Sequence, residues 1–195
     1  RVALARAIVL EPKILCLDEP LSNLNAKLRV GLRGELKKLQ KNLGITTLYV
    51  THDQEEALTL SDRIAVFNNG FVEQVDKPYN IYNHSGSEFV CDFIGEINRL
   101  NASVLSEITT QTGHALDGSK GGYVRLERIR LNEIPGYAKL HGVIRDYDYN
   151  GVMTKYRVEV MGCELRVIHV NDGQPFMEIG QELDIYVNPR DIMQF

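Results

Sequence analysis

Short apolar runs and one longer amphipathic segment alternate in the first quarter of the chain. Residues 14–17 are consecutive apolar residues, and the run stops before Pro20, which cannot donate to a β-ladder. Such a short unbroken run is typical of a strand buried on both faces, as in a parallel sheet. Residues 26–42 then predict a helix that ends at Gly44, and the β-branched and aromatic residues 46–51 predict a second buried strand. The pattern therefore indicates a parallel βαβ unit and an α/β fold.

Shorter helices and a β-hairpin complete the prediction for the first part of the chain. The Asn-Gly pair at residues 69–70 tolerates positive φ angles, so it predicts a tight turn between two antiparallel strands. The predicted helices cover residues 1–9, 54–60, 78–82 and 87–93, and the predicted hairpin strands cover residues 63–67 and 71–75. We therefore assign residues 1–95 to one α/β domain.

The pattern changes at about Gly95. From there to the last residue we find no convincing amphipathic helix, and short alternating runs are separated by Gly, Asn and Asp. The predicted strands cover residues 100–108, 123–129, 138–145, 154–160, 164–170 and 182–187. Short strands with regular turn signals are typical of a small barrel or sandwich, so residues 96–195 are predicted to form a second, all-β domain.

Polar residues follow directly after each strand of the predicted βαβ unit. Asp18 and Glu19 follow the first strand, and His52 follows the second. Parallel strands joined by a right-handed crossover bring their carboxyl ends to one edge, so we expect Glu19 and His52 to face one crevice. Open α/β sheets bind ligands at this edge. From these residues alone, an acidic turn exposed to solvent remains an alternative.

Three further acids follow His52 in the sequence. Asp53, Glu55 and Glu56 fall in the first turn of the predicted helix 54–60. Carboxylates there interact favourably with the helix dipole, so we predict this structural role for them and no catalytic one.

Taken together, three sequence blocks closely resemble one family. L-D-E-P at residues 17–20, S-N-L-N at 22–25 and T-H-D-Q-E-E-A-L at 51–58 resemble the Walker B motif, D-loop and H-loop of an ABC-transporter nucleotide-binding domain. Residues 1–7, R-V-A-L-A-R-A, resemble the helix that follows the family's signature sequence. The resemblance implies the C-terminal part of a P-loop NTPase-type ABC ATPase domain, with ATP and Mg²⁺ as cofactors.

The resemblance also implies roles for particular residues. Asp18 would hold Mg²⁺ through its water shell, and Glu19 would activate the attacking water as a general base. His52 would contact the γ-phosphate and act as a switch, so Glu19 and His52 are the predicted catalytic residues. Ser22 and Asn25, in the D-loop, are predicted to contribute to nucleotide binding. The family usually has aspartate where Asn25 stands, and Asn25 could equally be a plain helix N-cap.

The second domain shows a looser resemblance to the C-terminal regulatory barrel of such importers, an OB-like fold known as TOBE. F-I-G-E-I-N at residues 93–98 resembles the linker into that barrel, and Y-N-G-V at 149–152 fits one of its turns. Residues 123–129 resemble a recurrent V-R-P-E strand, with Leu126 where proline is common. These blocks are most similar to the spermidine/putrescine branch, although ferric-iron, phosphonate and sugar importers share the architecture.

Composition limits the possible partners and the cell compartment. The net charge is −4, and residues 96–195 hold 11 Lys/Arg against 14 Asp/Glu, so we predict no nucleic-acid partner. No stretch approaches 18 apolar residues, so no transmembrane helix is expected. Three widely separated cysteines fit a reducing cytosol better than a disulfide framework. We expect a cytoplasmic protein bound peripherally to the inner face of the cell membrane.

The implied assembly is an importer. Its partners would be a second copy of the ATPase subunit, transmembrane permease subunits and, indirectly, a solute-binding protein. The chain has no G-x-x-x-x-G-K-[ST] and begins with Arg1, so we interpret it as a fragment or a processed product and expect it to be inactive alone. The alternative is a non-catalytic dimerisation or ligand-sensing module built on a degenerate ATPase half.

Overall fold

The computed structural model describes residues 2–9, 12–173 and 175–195, so Arg1 lies outside the described residues. The chain divides into two compact units, residues 1–83 and 84–195, called here the first unit and the second unit. Both contain helices and strands, so the fold is a mixed helix and strand fold. The predicted domains, residues 1–95 and 96–195, differ from this division by residues 84–95 and stay a prediction.

The first unit begins with the predicted helix, strand, helix, strand order. Its elements are α1 (Val2–Ile8), β1 (Ile14–Asp18), α2 (Ala26–Leu43), β2 (Thr46–Val50), α3 (Gln54–Leu60), β3 (Ile64–Asn68), β4 (Phe71–Asp76) and α4 (Pro78–Asn83). β1 pairs with β2 in parallel, from Ile14 opposite Thr46 to Asp18 opposite Val50. Gly44 ends α2 in the left-handed conformation, at φ 63°. The predicted βαβ unit is therefore confirmed.

The hairpin of the first unit is also confirmed. β3 and β4 pair antiparallel, and Asn69 and Gly70 between them have φ angles of 48° and 85°. Two consecutive positive φ angles are what a two-residue turn of this handedness requires, which explains the Asn-Gly sequence.

One prediction about the first unit is wrong, because its central strands are not buried on both faces. Alternate residues of β1 and β2 point to one face, and on that face Ile14, Leu48 and Val50 are 62%, 60% and 50% exposed. On the other face Leu15 is buried and Tyr49 is half-buried. Among the described residues the first unit thus carries a strand pair covered on one face only.

The second unit is built around an antiparallel sheet of four strands, which lie in the order Glu182–Val187, Ala138–Tyr149, Met153–Val160 and Cys163–Val170. Its elements are α5 (Glu88–Phe93), β5 (Ile97–Leu100), α6 (Ala102–Thr112), β6 (Gly122–Arg125), β7 (Ala138–Tyr149), β8 (Met153–Val160), β9 (Cys163–Val170) and β10 (Glu182–Val187). β5 and β6 form a separate antiparallel pair. The predicted strands after residue 138 are confirmed, while the OB-like barrel stays a prediction.

The prediction of an all-β second domain is wrong, because residues 102–112 form α6 rather than part of a strand. Asn101 caps the helix by accepting from the amide of Val104, and Gly113 ends it at φ 69°. Val104, Leu105 and Ile108 are buried, and their spacing of three and four residues places them on one helical face. That face packs into the apolar core against the four-stranded sheet.

The strand predicted for residues 123–129 is shorter than expected. β6 ends at Arg125, and a single 3₁₀ turn, Leu126–Arg128, follows. This change occurs at Leu126, the position where the related pattern commonly has proline. A proline at this position would end the β-ladder because proline has no amide proton to donate. Here the chain leaves the β-ladder at the same place although residue 126 is leucine.

Buried polar side chains join the elements at the beginning of the second unit to β6 and to the four-stranded sheet. Arg125 is 2% exposed and donates to the carbonyl of Cys91 at 3.0 Å. Asn98 exchanges two hydrogen bonds with the backbone of Arg166, at 2.8 Å each. Each buried group is therefore satisfied within the unit, as buried polar groups must be.

Candidate functional site

The two parallel strands of the first unit end side by side. β1 ends at Asp18 and β2 ends at Val50, which are partners in the register. The amide of Glu19 extends the pairing by donating to the carbonyl of Val50 at 2.9 Å. The acid after β1 and His52, which follows β2, therefore emerge at the same edge, as the crossover rule predicts.

The side chains of Glu19 and His52 meet at this edge. Nδ1 of His52 lies 3.0 Å from Oε1 of Glu19. An ionised carboxylate only accepts, so Nδ1 donates and Nε2 is left for another group. The hydrogen bond to Glu19 and the Glu19 charge raise the pKa of His52. The two side chains are 69% and 44% exposed, so a ligand in solvent can reach both.

The backbone of Glu19 has an unusual conformation for a residue with a side chain. Its φ angle is 43°, in the left-handed region, which costs about 1–2 kcal/mol for a non-glycine residue. Ser22 holds the turn by donating both its hydroxyl, at 2.9 Å, and its amide, at 3.2 Å, to the Glu19 carbonyl. Strain of this kind clusters at functional sites, where the surrounding structure maintains it.

The predicted D-loop residues both bond to backbone within their own segment. Ser22 holds the Glu19 turn, and Asn25 accepts from the amide of Leu28 at 2.9 Å through Oδ1. Asn25 is thus the N-cap of α2, which was the alternative left open for it. Nucleotide binding by Ser22 and Asn25 stays a prediction.

Asp18 is the predicted magnesium residue. Its side chain is exposed at the end of β1, next to Glu19. Among the residues that the structure describes, no three His, Cys, Asp or Glu side chains converge as a metal site would require. Mg²⁺ keeps several waters and takes one or two carboxylates together with substrate phosphates, so a single acid fits this ion. Asp18 can fill that role, and the role stays a prediction.

Sequence reasoning missed an ionic network behind His52. Asp53 caps α3 by accepting from the Glu56 amide at 3.0 Å, and two arginines of α2, Arg29 and Arg33, each donate to its Oδ2 at 3.0 Å. Burial would raise the pKa of Asp53, but the Glu56 amide and the two arginines hold it below its usual value. Asp53 therefore caps α3 and is also held in place by hydrogen bonds from two arginines.

Glu56 lies in the first turn of α3, as predicted, and makes contacts that the sequence did not reveal. It is 2% exposed, and its Oε2 accepts from the Tyr49 hydroxyl at 2.8 Å and from the Thr51 hydroxyl at 3.0 Å. Burial and the bond to Glu56 raise the pKa of Tyr49. In addition to its predicted place in the helix, Glu56 is thus a buried acceptor for two hydroxyl groups. The four-residue spacing of Arg29 and Arg33 was a signal for one shared helical face, but nothing local showed what they bind.

Comparison with known proteins shows which proteins the chain is similar to. Residues 123–195 match the family model described as "TOBE domain". A protein of Borreliella afzelii named "Spermidine/putrescine import ATP-binding protein PotA" is 42% identical over 98% of the chain and 57% of its own length. Over most of its length the chain is thus similar to ABC-transporter ATP-binding proteins.

Other relatives show the same similarity. A protein of Escherichia coli K12, "Uncharacterized ABC transporter ATP-binding protein YdcT", is 45% identical over 84% of the chain and 46% of its own length. The PotA protein of Acetivibrio thermocellus is 41% identical over 98% of the chain and 56% of its own length. The chain therefore spans about half the length of the curated relatives it matches. None of the helices in its described part has the length and apolarity that a membrane span needs.

Proposed function

We propose that the chain carries the hydrolytic half of an ABC-importer ATPase, which couples Mg-ATP hydrolysis to solute uptake. The observation that carries this proposal is the Glu19–His52 pair, in hydrogen-bond contact at 3.0 Å at the carboxyl end of two parallel strands. Domain boundaries at residues 1–95 and 96–195 belong to the proposal, with an OB-like TOBE barrel as the second domain. The match of residues 123–195 to the TOBE domain model and the similarity to ABC-transporter ATP-binding proteins support both parts.

Each polar residue at the strand edge has a defined role in this proposal. Asp18 would hold Mg²⁺ through water, and the ion would supply positive charge to the phosphate oxygens. Glu19 would accept the proton of the attacking water. His52, whose Nδ1 is engaged by Glu19, would present Nε2 to the γ-phosphate. Ser22 and Asn25 would shape the turn that a second copy of the subunit contacts.

The proposed assembly follows from the same family. The ATPase would work as a homodimer on the inner face of the cell membrane, joined to transmembrane permease subunits and served by a solute-binding protein. A polyamine is the proposed solute, because the relatives from Borreliella afzelii and Acetivibrio thermocellus are named for spermidine/putrescine import. Ferric iron, phosphonate and sugar are the alternatives that an uptake assay must include.

The first test measures ATP hydrolysis in a form of the protein that also carries a P-loop, since these 195 residues contain none. Removing a positioned general base costs about 10²–10⁴-fold in rate, so Glu19→Gln should lower kcat by that factor while nucleotide binding persists. Asp62→Asn, an exposed acid outside the site, is the matched control and should keep the parent rate. Equal rates for the parent and Glu19→Gln would contradict the proposal.

A second measurement tests the solute. Cells that lack their own polyamine importer and express the complete transporter should accumulate labelled spermidine or putrescine, and the Glu19→Gln version should not. Uptake of another solute class in place of polyamines would overturn the substrate while leaving the ATPase proposal intact. A chain that senses ligands without hydrolysis, the alternative function, would bind solute but show no difference between the parent and Glu19→Gln.

A further inference from the structure

Arg29 of α2 contacts both segments that carry the Glu19–His52 pair. Its Nη1 donates to Oδ2 of Asp53 at 3.0 Å, next to His52. Its Nη2 donates to the carbonyl of Leu24 at 3.3 Å and lies 3.5 Å from the carbonyl of Ser22. One planar guanidinium therefore joins the turn after β1 to the segment after β2.

Each end of this bridge leads to one member of the pair. On one side Ser22, whose carbonyl Arg29 contacts, donates its hydroxyl to the Glu19 carbonyl at 2.9 Å. On the other side Asp53 directly follows His52, and its amide donates to the Thr51 hydroxyl at 3.0 Å. The chain on both sides of His52 is thus fixed by side-chain bonds.

Arg33 provides an internal comparison for Arg29. It lies one helical turn later and also donates to Asp53 Oδ2 at 3.0 Å, but its other close partner is Glu55 at 2.7 Å. None of its hydrogen bonds to described residues reaches the turn of residues 21–25. Arg33 and Arg29 thus share the carboxylate, while only Arg29 bridges the two segments.

We propose that Arg29 is a positioning residue that couples the turn of residues 21–25 to His52 and so sets the geometry of the Glu19–His52 pair. Because its fork is rigid and carries several donors, Arg29 can hold a carboxylate and two carbonyls at once. A lysine at this position would keep the charge but could not hold both segments in this way. The expected effect of Arg29 on catalysis rests on the proposed function, whereas its expected effect on the contact between Glu19 and His52 does not.

The first experiment needs no ATPase activity. The titration of the His52 imidazole is followed by NMR in the 195-residue chain and in its Arg29→Gln, Arg29→Lys and Arg33→Gln versions. Loss of the bridge should lower the pKa of His52 toward its value in Glu19→Gln. Arg29→Lys keeps the positive charge and tests this directly, whereas Arg29→Gln also removes a charge that lowers the His52 pKa, so its decrease should be smaller. Arg33→Gln, which keeps the bridge, should leave the His52 pKa near the parent value. Equal titration of His52 in the parent and in Arg29→Lys would overturn the proposal.

The second experiment measures kcat and KM for ATP in the P-loop-containing form. Small misplacement of catalytic groups can cost on the order of 10–100-fold in rate, so Arg29→Gln and Arg29→Lys should lower kcat by that factor, with KM changed by less than about twofold. Arg33→Gln should lower kcat by less than about threefold, even if it lowers the melting temperature more than the Arg29 variants do. The reason is that the contacts of Arg33 stabilise the fold without bridging the two segments. Losses of kcat that simply follow the melting temperature would overturn the positioning role.

The two experiments separate the failure of each proposal. If the parent and Glu19→Gln hydrolyse ATP equally, the proposed function fails, and the His52 titration still decides whether Arg29 couples the two segments. If Glu19→Gln is inactive and the parent active, but the Arg29 variants match the parent in both readouts, the proposed function stands and the coupling by Arg29 is refuted.

Discussion

The two units of the chain use their residues in different ways. In the second unit, α6 and the four-stranded sheet enclose an apolar core in which Ile144, Val158 and Leu165 are completely buried. In the first unit, apolar residues of β1 and β2 lie exposed on one face, and buried arginine and glutamate side chains occupy the region behind His52. Among the described residues, the second unit thus has one extended apolar core, whereas the first unit combines a smaller set of buried apolar side chains with directed polar contacts.

This difference predicts that the same substitution has unequal effects in the two units. Ile144→Ala removes a fully buried side chain from β7 and should lower the free energy of unfolding of the second unit by about 2–5 kcal/mol. Ile14→Ala removes a side chain of β1 that is 62% exposed and should cost less than about 1 kcal/mol. Urea unfolding followed by probes in each unit measures both values, and equal losses would show that the exposed face of β1 is covered in solution.

Glycines give a second, smaller contrast. A Cβ on Gly142 would lie 2.5 Å from Val158 Cγ1 and 2.7 Å from Val160 Cγ2, so Gly142→Ala should destabilise the second unit by about 1–3 kcal/mol. A Cβ on Gly34, inside α2, meets nothing within 4 Å. Gly34→Ala should therefore stabilise the first unit by about 0.5–1 kcal/mol through helix propensity. Thermal unfolding of both variants checks the opposite signs, and a loss at Gly34 would contradict the open surroundings of that position.

Local patterns were sufficient to predict most elements of both units. The apolar run of β1, the β-branched run of β2 and the Asn-Gly turn act over a few residues, and the structure confirms each of them. α6 was missed because Leu100, just before its cap, extends the apolar series and makes the segment resemble a strand. The helical spacing of Val104, Leu105 and Ile108, together with the Asn101 cap, was the signal that could have identified it.

Long-range packing accounts for what the sequence did not reveal. The exposure of one face of β1 depends on which other elements pack against it. A periodicity of two residues along the strand does not show which elements these are. The contact between Glu19 and His52 was predicted because the crossover rule fixes where parallel strands end. Arg29 bonds to Asp53, and Tyr49 bonds to Glu56. None of these residue types is unusual for a helix or strand, so the sequence does not indicate the pairs and only the folded chain shows them.

The smallest predicted effect concerns the charge of His52. Since Glu19 raises the pKa of His52, the pair stabilises the folded chain fully below the unfolded imidazole pKa of about 6.5 and loses this contribution as the pH rises through the folded value. Glu19→Gln should lower the His52 pKa, measured by NMR titration. Asp62→Asn removes an equal charge at an exposed position away from the pair and should leave it unchanged. Equal decreases in both variants would mean that net charge, rather than the 3.0 Å contact, sets the titration, and raising the salt concentration would then abolish the shift.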